Sequence, residues 1–134
     1  MLGMRLWAGC VVVGMIVLAV SSCGSRLPAA SSGAAERFYH ALELHDGAAA
    51  CNLLAPQTVR EVEESAQARC ASAILDDDVP AGGEVVEVRQ YGTEAEARTG
   101  RDTAFLAEFD DGWKVVAAAC TAQGQLPYDC KVKG

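Results

Sequence analysis

The stretch TAFLAEFDDGWKVVAAACT, residues 103–121, decides the fold class of this chain. Thr103 to Phe109 and Trp113 to Thr121 are two runs of strand-forming residues, and Asp110-Asp111-Gly112 between them supplies a turn. The pattern predicts a β-hairpin. In a half-solvated hairpin one side would be polar. Here Phe105, Ala107 and Phe109 alternate with Ala104 and Leu106, while Trp113, Val115 and Ala117 alternate with Val116, Ala118 and Cys120. Both faces are therefore apolar. One face can pack on helices. The other needs a cover: a bend of the sheet around the core, which is the simplest solution, a partner subunit, or a ligand.

Weaker strand signals flank the hairpin. Val86 and Val88 alternate with Glu87 and Arg89 up to Tyr91-Gly92, and Ala95 and Ala97 alternate with Glu94, Glu96 and Arg98 up to Gly100. Tyr128 to Lys133 reads as a last edge strand. The preceding part of the chain is helical. From Ala34 to about Leu44, residues Ala35, Phe38, Leu42 and His45 recur at helical spacing. Asp46-Gly47 marks a break and a new cap, and Ala48 to Leu54 form a short helix stopped before Pro56. Thr58-Val59-Arg60-Glu61 has capping-box spacing and opens a third helical stretch to about Leu75, with a bend near Ser65. Helices first and strands afterwards predict an α+β fold: N-terminal helices packed on a curved, mostly antiparallel sheet of about four strands.

The amino terminus gives an address. Arg5 is a small positive region, Leu6 to Val20 form an apolar run, and Ser21-Ser22 precede Cys23. The run is shorter than the roughly 20 residues a spanning helix needs and suits a signal peptide. Val20-Ser21-Ser22-Cys23 resembles the lipobox of bacterial lipoproteins. That resemblance implies that the Cys23 sulfur carries a thioether-linked lipid (palmitate being a typical acyl group), with residues 1–22 removed. An ordinary signal peptide cut at Ser22, or an uncleaved anchor, are the alternatives. Residues 24–33, GSRLPAASSG, are small and polar and are expected to tether a single domain, 34–134, to the extracytoplasmic face of the cell membrane.

Composition narrows the partners. Only Arg5 lies in residues 1–22, so the remainder holds ten of the eleven basic residues and all eighteen acidic ones, a net charge of −8. Such a balance excludes a nucleic-acid stripe and electrostatic docking on anionic lipid. Beyond the signal and Cys23 there are four cysteines, Cys51, Cys70, Cys120 and Cys130. An even number in a small exported chain reads as disulfides, each worth about 3 kcal/mol by loop entropy. Three pairings are open. Cys51–Cys70 with Cys120–Cys130 is preferred because each bridge stays within one predicted subdomain. There is no C-x-x-C, and His40 and His45 are not spaced with the cysteines as zinc ligands, so no metal and no cofactor are expected. Asp76-Asp77-Asp78 departs from a calcium loop at Pro80 and reads as a solvated helix end.

Together with this order of elements, Phe38-Tyr39-His40-Ala41-Leu42, Ala48 to Cys51 with Leu54-Ala55-Pro56, Thr103 to Leu106, Gly112 to Val115 and Tyr128-Asp129-Cys130 resemble the nuclear-transport-factor-like, cone-shaped α+β superfamily. The chain is most similar there to small actinobacterial lipoproteins of unknown function. Enzymes of that superfamily place His, Asp and Tyr inside the cone for acid–base work, which makes His40, His45 and Asp46, with Tyr39 and Tyr91, the catalytic candidates. The residues themselves argue against this. His40 falls off the apolar stripe, His45 sits where histidines satisfy helix-end carbonyls, and Asp46 looks like a cap. Tyr39, Tyr91, Trp113 and Tyr128 are read as core before groove. The expected function is a non-enzymatic, membrane-anchored module that binds a protein partner, a second copy of itself, or a small apolar ligand. The alternative is an extracytoplasmic isomerase or dehydratase.

Overall fold

The computed structural model describes residues 28–76, 79–80 and 82–134. The signal segment 1–22, Cys23, tether residues 24–27 and Asp77-Asp78 lie outside the described residues. The described residues form helices α1 (Ala29–Glu43), α2 (Gly47–Asn52), α3 (Pro56–Ala66) and α4 (Cys70–Asp76). Strands β1 (Val85–Tyr91), β2 (Glu94–Thr99), β3 (Thr103–Phe109), β4 (Gly112–Gln123) and β5 (Leu126–Lys133) follow. The fold is α+β. The sheet is an antiparallel meander in the order β1-β2-β3-β4-β5, so it has five strands where the sequence predicts about four. β1 and β2 are short and rich in charge, which weakens their signal in the sequence.

α1 begins at Ala29, inside the stretch read as tether, and Ser31 and Ser32 are buried. The composition of residues 29–33 favours a loop, but tertiary packing decides for the helix, and Pro28 supplies the carbonyl that accepts the Ser32 N–H. At its other end the helix closes in a Schellman pair: His45 N–H to the Leu42 carbonyl at 3.0 Å and Asp46 N–H to the Ala41 carbonyl at 2.9 Å. His45 holds the left-handed position that glycine usually fills, at φ 55°. Its backbone is the cap, so it is no part of the core stripe predicted for it.

The third helical stretch differs too. Pro56 takes the first position of α3, and the Thr58 hydroxyl donates to the Val116 carbonyl at 3.0 Å rather than capping a helix. The expected bend near Ser65 is a full break, with Gln67 left-handed at φ 50°. Glu63 then accepts the Cys70 N–H that opens α4. The disulfide Cys51–Cys70 ties α2 to α4, and Cys120–Cys130 ties β4 to β5. Gly47 lets α2 approach α4 closely, because a Cβ there would run into the Ala71 carbonyl.

The core lies on one face of the sheet. Ala97 and Ala104 stand opposite each other on β2 and β3, and Ala118 continues the inner face on β4; all three are fully buried. Small side chains here let α1 settle close to the strands, and Phe38, Tyr39 and Leu42 fill the space between. The edge of β4 left free by β5 is covered by Leu53 to Ala55. Val115 N–H donates to the Leu53 carbonyl, and Ala55 N–H donates to the Val115 carbonyl, both at 2.8 Å.

Ala104→Leu should lower stability by about 1–3 kcal/mol, since the added volume has no place beneath α1. Urea unfolding followed at Trp113 measures it; an unchanged midpoint would mean that α1 does not lie on that row.

Candidate functional site

Two places in the molecule gather chemistry, and they lie on opposite faces of the sheet. The first is a buried polar cluster. Tyr39 points from α1 into the core and is 1% exposed. Its hydroxyl donates to Asp102 Oδ1 at 2.9 Å, and the Thr99 hydroxyl donates to the same oxygen at 2.9 Å. Thr99 Oγ1 in turn accepts the backbone N–H of Arg101 and of Asp102, so the turn between β2 and β3 folds around it. Asp102 is itself buried, and its Oδ2 has no hydrogen-bond partner among the described residues. Gly82 packs against the Tyr39 ring so closely that a Cβ on it would stand 2.6 Å from Tyr39 Cε1.

Burial drives the Tyr39 pKa far above the ordinary phenol range; the nearby Asp102 charge and its hydrogen bond push the same way, and the Ala119 N–H opposes them. The phenol therefore stays protonated and serves as a donor. Enclosed on all sides, it clamps α1 to the β2–β3 turn and leaves no room for a substrate.

The second place is an open groove of about 590 Å³ on the outer face of the sheet. Phe105, Ala107, Phe109, Val116 and Ala117 make its floor and are each half-buried. β4 changes register here: Phe105 pairs with Ala117 while Leu106 pairs with Val115. Val116 is thereby extra, and both it and Ala117 reach the groove. Glu94 and Glu96 from β2 form an acidic wall, and Tyr91, 68% exposed, stands at one lip. Phe105 meets Tyr128 edge to face at 5.0 Å. On β1 and β2 beside the groove, Glu87 bridges Arg89 and Arg98. The second apolar face of the hairpin is thus only partly covered within the chain, and the sheet does not bend far enough to close over it.

The structure scatters the catalytic candidates. His40 is on the surface, its side chain 67% exposed and 3.5 Å from Glu43. His45 and Asp46 are exposed at the end of α1, and Asp46 caps α2 by accepting the Ala49 N–H at 2.9 Å. None of the three lines the groove or joins the buried cluster. Among the four aromatic candidates, Tyr39 and Trp113 are core, Tyr91 lines the groove, and Tyr128 packs on its floor. Sequence reasoning missed Asp102 and Thr99, whose signal was no more than a turn. Tyr39 is core, as read, but the stripe predicted for α1 left it out, although Ala35, Tyr39 and Leu42 are as good a helical stripe as the one chosen. Among the described residues, no group of three or more His, Cys, Asp or Glu could hold a metal ion.

Tyr39→Phe should cost about 1–3 kcal/mol in urea, because the buried Asp102 carboxylate loses one of its two side-chain donors. The raised pKa also sets a pH signature. The protonated phenol supports the fold fully below its ordinary value of 10.0, and that support drains away as pH rises above it. The Phe variant should lose this alkaline dependence, and an equal fall in both proteins would contradict the clamp. Comparison with family models, curated proteins and solved structures finds no match to this chain.

Proposed function

We propose that this chain is a lipoprotein anchored through Cys23 on the extracytoplasmic face of a bacterial membrane, where it works as a non-enzymatic binding module. Its binding surface is the groove on the outer sheet face. One observation carries the reading: Phe105, Ala107, Phe109, Val116 and Ala117 gather half-exposed into one apolar floor, whereas the more exposed Leu44, Val86 and Leu126 lie outside it. Helices before an antiparallel sheet are compatible with the nuclear-transport-factor-like cone, and we propose that architecture for the domain. No helix among the described residues is long and apolar enough to cross a membrane.

The acid–base alternative would have to use Tyr39 and Asp102, the polar pair at the centre of the core. Their oxygens point at each other and are sealed under α1, so a substrate has no path to them. The binding reading needs no such path.

Two variants test it. Cys23→Ala should move the protein from the membrane fraction to the medium; retention on the membrane would remove the anchor. Ala107→Glu puts a charge into the apolar floor, between Glu94 and Lys114, its partners across the strands. It should weaken binding of an apolar fluorescent dye at least about tenfold while the unfolding midpoint changes little. Unchanged dye binding would show that the groove is not the binding surface.

A further inference from the structure

The position of α1 says where the groove faces. The Ser31 hydroxyl, in the first turn of α1, donates to Gln90 Oε1 at 3.2 Å. Gln90 is followed by Tyr91, the lip of the groove, and Tyr91, Glu94 and Ala107 form one row across β1, β2 and β3. The start of α1 and the lip of the groove therefore share one end of the sheet. Four residues, 24–27, separate Cys23 from Pro28, so the five Cα–Cα steps reach at most about 18 Å when fully extended. If Cys23 is held at the bilayer surface, the groove can stand no further from it than that tether plus the width of the rim.

We propose that the groove takes up an acyl chain of a zwitterionic lipid from the membrane that anchors the protein. This inference rests on the anchor proposed above and names the ligand class of the same groove. The floor offers aromatic and aliphatic contacts and, among its own residues, no polar side chain, which suits a hydrocarbon chain. The rim is charged. Glu94 and Glu96 line the wall, Lys114 stands across the strands from Ala107, and Asp110 and Asp111 form the β3–β4 turn at the same end of the sheet. Such a rim can meet both the phosphate and the ammonium of phosphatidylethanolamine, whereas phosphatidylglycerol offers no cation to Glu94 and Glu96. Tyr91 at the lip has the amphipathic character found where protein meets headgroups.

The test uses the full lipidated chain in phosphatidylcholine vesicles doped with phosphatidylethanolamine that carries a photoreactive diazirine in its acyl chain. Flotation of the vesicles reads the anchor, and labelling reads the groove. After photolysis and trypsin, the label is expected on the peptide from Asp102 to Lys114. The Ala107→Glu protein should float equally and lose that label at least about tenfold. A phosphatidylglycerol probe should label the native groove less well, and Glu94→Gln should narrow that difference without disturbing the core.

Label confined to the peptide that carries Cys23, or equal in the Ala107→Glu variant, would overturn the groove proposal and leave the anchor standing. Crosslinks joining two copies through Phe105 or Phe109 would assign the face to a second subunit and also overturn it. Failure to float would overturn the anchor, and the lipid supply with it.

Discussion

α1 can lie against the sheet only because Ala97, Ala104 and Ala118 present nothing larger than a methyl group on the inner face. That close approach is the constraint from which the rest of the architecture follows. It brings Tyr39 deep enough for its hydroxyl to meet Asp102, and it buries Phe38 and Leu42 with few gaps. A buried phenol without an acceptor would be costly, and a buried carboxylate without a donor more so. The two groups therefore settle each other, and Thr99 holds the turn that presents Asp102. Two disulfides then fasten the α2–α4 pair and the last hairpin.

With all four helices on one face, the other face of the sheet is left to water or to a ligand. Charge pairs handle its outer part, where Glu87 meets Arg89 and Arg98. Near the centre Phe105, Ala107 and Phe109 stay half-open between Glu94, Glu96 and Lys114, and the register change in β4 adds Val116 and Ala117 to the same floor. A domain of this size gains little from leaving such a surface uncovered. The proposed membrane anchor gives it a use, since the groove opens at the end of the sheet where the tether enters.

Much of this was legible in the residues. The 103–121 hairpin, the break at Asp46 and the preferred pairing of the cysteines all follow from local chemistry: a turn, a cap, and proximity along the chain. What was hidden depends on packing. Residues 29–33 are poor helix formers, and the burial that makes them helical cannot be seen in their composition. Tyr39 sits one position from the chosen stripe, and only the tertiary structure fixes the phase of a helix enclosed on so much of its circumference. Asp102 looked like an ordinary turn residue, because a buried carboxylate is defined by what lies above it. The open groove was half-visible: two apolar faces were evident, but the curvature that decides whether the second is covered has no sequence signature.

The central claim is one-sided packing, with Phe38 and Tyr39 sealed beneath α1 and the outer face accessible. Hydroxyl-radical footprinting of the purified chain tests it most directly. The account predicts rapid oxidation of Tyr91, Phe105, Phe109 and Tyr128 with Phe38 and Tyr39 protected. Equal oxidation of both sets, or protection of Phe105 and Phe109 in the isolated monomer, would contradict it.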